Sequence, residues 1–204
     1  MTAPVPLRER NRLRTRTDIL DAAADLLDET DTFDESVLFT LESLGQRAGL
    51  SRGTVYAHFP GGRDEVIAGV YQRLSEQVLQ RGLDLRDGAR TTTERIHVMA
   101  QALLEMTARP GGRFYCSAGP EIATHLVGAS GRASTVFEGL LRDDLDDARG
   151  QLPPGTDTAA LATVLSGAIR GAGVAAARGT VPPEALLQAV TALATGLLGE
   201  TSGR

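Results

Sequence analysis

Residues 40–59, TLESLGQRAGLSRGTVYAHF, leave the chain little freedom: they spell a short helix, a tight turn and a second short helix that share one small core. Leu41, Leu44 and Ala48 fall at i, i+3 and i+7 of the first helix, while Leu50, Val55 and Phe59 give the second its facing apolar side. Thr40 stands where an N-cap hydroxyl accepts from an unpaired first-turn amide, and Glu42 lies where the helix dipole favours an anion. Gly49 follows the last apolar position and, lacking a Cβ, can take the left-handed conformation that ends a helix. Ser51 caps the next one. Gly45 falls where two helices joined by so short a turn approach each other, and any side chain there would push them apart.

With the apolar positions turned inward, Arg52, Thr54, Tyr56 and His58 are left at or near the outer surface, mostly toward the N-terminal end of the second helix. That end is the one a recognition helix presents to the major groove. Arg52 can donate a bidentate pair to a guanine edge, Thr54 can touch a base or a thymine methyl, and Tyr56 can donate its hydroxyl to a phosphate. The amides of 52–54 are unpaired donors at a positive dipole end and suit a phosphate as well. The competing reading is an ordinary αα-hairpin with a solvated polar face. Gly45, Ala48, Gly49, Leu50, Ser51 and Val55 occurring together weigh against it.

The run ILDAAADLL at 19–27, then LGQRAGLSRGTVYAHFP at 44–60 and a helix beginning near Arg63, resemble the tetracycline-repressor (TetR) family of transcriptional regulators over about the first third of the chain. The resemblance implies an all-α fold, a three-helix DNA-binding head on a helical ligand-binding and dimerisation body. It also implies DNA contacts from Thr40, Ser51, Arg52, Gly53, Thr54, Tyr56, Ala57 and His58, with Arg63 as the phosphate-contacting base that opens a fourth helix. Three departures stand out: the linker DETDTFDESVLF is long, the loop PGGR carries an extra glycine, and Ala57 is small.

The formal net charge is -5, so a polyanion would repel the molecule as a whole and any DNA binding must come from a local patch. Arg8, Arg10, Arg12, Arg14 and Arg16 provide one ahead of an acidic run. Their alternation would scatter them around a helix but line one side of an extended strand. Residues 1–16 are therefore expected to form a flexible basic arm that places Arg14 and Arg16 on DNA, the alternative being a solvated tail. A lone cysteine, Cys116, excludes an internal disulfide framework and fits a reducing compartment. With no signal-peptide core and no apolar stretch of bilayer length expected, the protein is placed in the cytoplasm, without a membrane partner.

From 63 to 204 the pattern is helical throughout, following a head over 17–62. Val66, Ile67, Val70, Tyr71, Leu74 and Val78 recur at helical spacing in a long connecting helix. Thr91 and Glu94 form a capping box for the next, with Ile96, Met99, Ala100 and Leu103 as its stripe, ended by Pro110-Gly111-Gly112. RFYCSAGPEIATHLVGASG looks irregular, with one short helix at most, and the helix after it carries four aspartates facing outward. The last two helices, about 157–178 and 182–199, are nearly uncharged, and Gly167, Gly171 and Ala175 permit close backbone approach. Such helices need more cover than one neighbour gives, which points to a two-fold four-helix interface of a homodimer, the alternative being a fully internal helix.

A dimer would set two recognition helices on a pseudo-palindromic operator of double-stranded DNA. The resemblance implies a small-molecule effector bound among the middle helices. His97 and Gln101 beside the apolar stripe, with Met106, Phe114, Tyr115, Cys116 and His125 in or near the irregular region, are the candidate contacts, each equally explicable as packing. Cys116, Glu121 and His125 match no zinc spacing, and neither a phosphate loop nor a nucleophile elbow occurs, so no metal, cofactor or catalytic site is expected. Besides the ligand-released repressor, the sequence leaves open a helical dimeric interaction module without DNA binding and, remotely, a small helical enzyme.

Overall fold

The computed structural model describes residues 6–29, 39–117 and 120–199, and of these the side chains of all but 120–131. Nine α-helices occur among the described residues, and no strand: α1 (Leu7–Asp28), α2 (Leu41–Ala48), α3 (Arg52–His58), α4 (Arg63–Arg86), α5 (Thr92–Met106), α6 (Gly112–Ser117), α7 (Pro120–Asp147), α8 (Thr158–Ala177) and α9 (Pro183–Leu198). A 3-10 turn at Arg149–Gln151 joins α7 to α8. The chain is all-α, as expected.

The head is α1, α2, α3 and the first turns of α4. Ile19, Ala23 and Leu27 from α1 bury completely or nearly so against Leu44, Val55, Phe59 and Val66. Thr40 caps α2 with its hydroxyl accepting from the Ser43 amide, and Ser43 answers by accepting from the Thr40 amide, a reciprocal cap that fixes the α2 start. Gly49 ends α2 at φ 66, and a Cβ on Gly45 would lie 2.8 Å from the Leu50 carbonyl oxygen, so only glycine lets the turn close.

In the body, α4 packs on α5 and α7, α5 on α9, α7 on α8, and α6 on α8. The buried core runs unbroken from Leu44 and Phe59 through Val70 and Leu74 to Phe114, Leu141 and Ile169. The sequence boundary at 62/63 falls between α3 and α4, yet α4 belongs to both halves: Val66 and Ile67 bury beside the head, Leu74 and Val78 in the body. A second tie is Asp28 at the end of α1, which accepts from the Gly111 amide at 2.7 Å.

Four expectations need correction. Residues 7–16 are not an extended arm: α1 begins at Leu7, directly after Pro6 at φ -54, and a run of Arg and Leu has good helix propensity. Residues 1–5 and the linker at 30–38 lie outside the described residues. The region read as irregular is α6 followed by the first part of the 28-residue α7. Its glycines weaken the helical signal, at about 1 kcal/mol each relative to Ala, and α7 as a whole packs on α4 and α8. Of the four aspartates in α7, Asp144 points inward and is 3% exposed, clamped by Arg86 and Arg95. Finally, α8 is long and apolar enough by length and composition to cross a membrane; in this fold it packs among α5, α6, α7 and α9.

Candidate nucleic-acid interface and body cavity

The recognition unit is α2, the Gly49 turn and α3. Ser51 caps α3, its Oγ accepting from the Thr54 amide at 3.1 Å and lying 2.8 Å from the Thr54 hydroxyl. Val55 and Phe59 anchor the inner side with no exposure. Outward stand Thr40, Ser51, Arg52, Gly53, Tyr56 and Ala57, all exposed, with Thr54 half-buried among them. The Arg52 guanidinium carbon sits 5.5 Å from the Tyr56 ring centroid, and the hydrogen bond to Tyr56 raises the Arg52 pKa further. That side chain is fully charged at any working pH and is held over the outer face of α3.

Two predicted contacts are placed differently. His58 is half-buried, and its Nδ1 is buried with no hydrogen-bond partner among the described residues. Arg16 does not reach out: it donates from Nη1 to the His58 carbonyl at 2.7 Å, lies 3.9 Å from the Phe59 ring centroid and 3.7 Å from Glu65. It braces α3 between α1 and α4, a role that an isolated run of arginines does not reveal. Arg14 is exposed on α1, as are Arg8, Arg10 and Arg12. The first eight positions of α1, Leu7 to Arg14, are all exposed and extend the helix by about 12 Å at helical rise. Arg63 opens α4 itself, behind Gly62 at φ 72, which settles its place despite the extra glycine.

The body holds a cavity of about 260 Å³ between α4, α5, α6, α7 and α8. Val78, Leu79, Leu103, Phe137 and Ile169 supply apolar wall; Ser75, Tyr115, Ser134, Glu138, Thr163, Ser166 and Arg170 supply polar groups. Of the candidate ligand contacts whose side chains are described, Tyr115 alone lines it. His97 bonds through Nδ1 to the Thr191 hydroxyl of α9 at 2.8 Å, and Gln101 donates to Glu105 at 2.8 Å. Met106 and Phe114 are core, 2% and 0% exposed. Cys116 packs beside Gly173. The side chain of His125 lies outside the described residues. Burial pushes the Cys116 thiol up to about 12, so it stays protonated and is a poor nucleophile at neutral pH. The residue sequence reasoning missed is Arg170, although it had a signal: it is the one charged side chain in twenty residues of α8.

On α8 and α9 the outward faces carry Val164 at 66% and Leu193 at 54% exposure, flanked by Ala160, Gly167, Gly171, Ala189, Ala192 and Gly196. A Cβ at Gly167, Gly171 or Gly196 would meet nothing within 4 Å.

No family model and no curated protein matches the sequence. Solved structures match in fold. The fatty acid degradation regulator FadR from Bacillus halodurans has a TM-score of 0.74 at 16% identity, over 100% of this chain and 100% of its own. FadR from Bacillus subtilis, solved in complex with stearoyl-CoA, gives 0.71 at 14% identity, over 91% of this chain and 98% of its own. A TetR-family regulator from Pectobacterium atrosepticum gives 0.67 at 24% identity, over 93% of this chain and 96% of its own.

Proposed function

We propose, from a fold shared with TetR-family transcriptional regulators, that this chain is a homodimeric DNA-binding regulator of transcription. It acts in the cytoplasm as a repressor that occupies a pseudo-palindromic operator and is released by a small-molecule effector. The observation that carries the reading is the exposed outer face of α3, with Arg52 and Tyr56 presented together on a helix locked by the Ser51 cap and the Gly45 close approach. A polar helix face with no DNA role would not need so rigid a seat. Arg52 reads a base edge, Tyr56 and the amides of 52–54 hold phosphates, and Thr40, Gly53, Thr54, Ala57 and Arg63 complete the footprint, with Arg14 on the backbone beside it. Two such faces meet successive major grooves when half-site centres lie about 34 to 36 Å apart.

The exposed apolar faces of α8 and α9 support the dimer: Val164, Leu193 and the small residues around them are what a pair of closely packed helices leaves outward when its partner is a copy of itself. The cavity between α4 and α8 supports the effector. Selection of bound sequences from random duplex DNA, followed by titration of the wild type and of Arg52→Ala and Tyr56→Ala, tests the reading. Arg52→Ala weakens the selected operator by about 1–3 kcal/mol and relaxes preference at one base in each half-site. If no sequence is selected, or if both variants bind as the wild type does, the chain is an interaction module and not a DNA reader.

A further inference from the structure

We propose that the cavity between α4 and α8 receives a small organic monoanion, a carboxylate on a short apolar body, whose charged end pairs with Arg170. The inference rests on the regulator reading, because it names the chemistry of the effector to which such a protein responds.

Arg170 projects from a helix otherwise free of charge, and among the described residues no carboxylate pairs with it. Its hydrogen bond there is a long one, donated from Nη1 to the Tyr71 hydroxyl at 3.4 Å. Tyr71 and Tyr115 pack with ring centroids 4.7 Å apart, and burial holds the Tyr115 phenol up at about 12, so it remains a donor at neutral pH. Ser75 also lines the cavity, with its hydroxyl donating to the Tyr71 carbonyl at 2.9 Å. Arg170 is exposed at the cavity mouth, with no carboxylate partner among the described residues and the Tyr115 phenol nearby, and a guanidinium so placed can take a carboxylate in two parallel bonds.

The rest of the cavity fixes the size and charge of the guest. Phe137, Leu103 and Ile169 give an apolar passage. At its far rim Glu138 accepts from the Thr163 hydroxyl at 2.6 Å. Thr163 and Arg170 are two turns apart on α8, about 10 Å at helical rise. An acid at both ends of the guest would meet Glu138, so a monoanion is preferred over a dianion. The volume of about 260 Å³ is near the lower end for small-molecule sites, which favours a short body.

The same contact supplies a route to the head. A carboxylate that engages the guanidinium competes with Tyr71, and Tyr71 belongs to α4, whose first turns are part of the head core. Binding therefore loosens one α4–α8 tie in the liganded state alone, the differential contact that a switch requires.

Calorimetric titration of the full-length protein with octanoate, 3-phenylpropanoate, octanedioate and 1-octanol is the test. Octanoate or 3-phenylpropanoate binds more tightly than 1-octanol and octanedioate. Arg170→Gln weakens the carboxylate about ten-fold or more while leaving 1-octanol unchanged, and Arg170→Lys restores part of the loss. Equal affinity for octanoate and 1-octanol, indifference to Arg170→Gln, or no binding of either monocarboxylate at millimolar concentration overturns the proposal. Should Arg170→Gln fail to fold by circular dichroism, the wild-type comparison of octanoate with 1-octanol decides. Operator selection on the wild type separates the two failures: a selected operator with silent carboxylates leaves a regulator of other effector chemistry, whereas no operator removes the regulator reading however the anion binds.

Discussion

At the scale of single residues, the head is held by side chains whose roles depend on what lies across a helix boundary. Arg16 reads in sequence as one of five basic residues available to a phosphate, but in the fold its guanidinium joins the His58 carbonyl, the Phe59 ring and Glu65. In the proposed regulator it would act on DNA binding by holding α3 against α1 and α4. Asp28 plays the matching part at the other end of α1. Burial raises its pKa above the ordinary carboxylate value, although the amides of Gly111, Phe114 and Arg113 and the charge of Arg113 pull it down. The sign of the pH effect follows. A carboxyl whose folded pKa lies above its unfolded one binds its proton more readily in the folded chain, so its stabilisation is complete below the unfolded pKa and is lost as pH rises through the folded value. Asp28→Asn removes that titration. Whatever the offset at neutral pH, the difference in melting temperature should therefore move in favour of the wild type as pH falls through the raised pKa. Melting curves of both proteins across the acid range check this, and a gap that stays constant or moves the other way rejects it.

Among the elements, α4 decides how far the head feels the body, and its firmest anchor is Asp144 of α7. Arg86 of α4 reaches Asp144 Oδ1 at 2.8 Å and Arg95 of α5 lies 2.9 Å from the same oxygen, so three helices meet on one carboxylate that is 3% exposed. Asp144→Ala leaves two arginines, 16% and 26% exposed in their side chains, without their counter-ion. The expected cost is about 3 kcal/mol, at the lower end for a broken buried pair because neither arginine is fully enclosed. Urea denaturation measures it, and a loss under about 1 kcal/mol would mean that the cluster is solvated in practice. This anchor also marks what the sequence could reveal. Elements with their own local punctuation were legible: the Thr40 and Ser51 caps, the Gly49 stop, the Thr91–Glu94 box and the two nearly uncharged C-terminal helices all stand where periodicity and capping chemistry put them. Asp144 was not, because three neighbouring aspartates disguised it as part of a solvated face and only the tertiary approach of Arg86 and Arg95 turns it inward. The start of α1 and the length of α7 were missed for a related reason. The basic run has good helix propensity and a start signal in Pro6 but no apolar stripe, so periodicity did not reveal it, while the glycine-containing segment has a weak helical signature by itself. At the candidate site the same division holds: the α3 face follows from local sequence, whereas the cavity is assembled from five helices, and its lone cation could be noticed but not placed.

For the whole molecule, a net charge of -5 means that binding a polyanion depends on geometry, with two basic faces presented together and the acidic remainder kept away. In the proposed dimer, pairing through α8 and α9 would create this geometry. The faces to be covered centre on Val164 and Leu193. A stable pairing would remove roughly 2,000 Å² or more in total, and burying a charged side chain at the centre without a partner costs several kcal/mol. Val164→Glu and Leu193→Glu are exposed in the monomer, so neither should unfold it, yet each should shift the protein to monomer in equilibrium sedimentation at micromolar concentration. Operator affinity should fall with it, because two half-site contacts on one rigid body become two separate associations, and the advantage of linkage, about 10²-fold or more, is lost. The two readouts must move together. A variant that remains dimeric places the interface elsewhere, and a monomer that holds the full operator as tightly as the wild type removes the need for paired recognition helices. In the second case a single α3, assisted by the arginines exposed on the projecting turns of α1, would have to supply the whole affinity, and its salt dependence would then identify it: each lost phosphate contact lowers the slope of log K against log salt by about 0.9, so Arg8, Arg10, Arg12 and Arg14 changed together to Gln would flatten that slope in the monomer and the dimer alike.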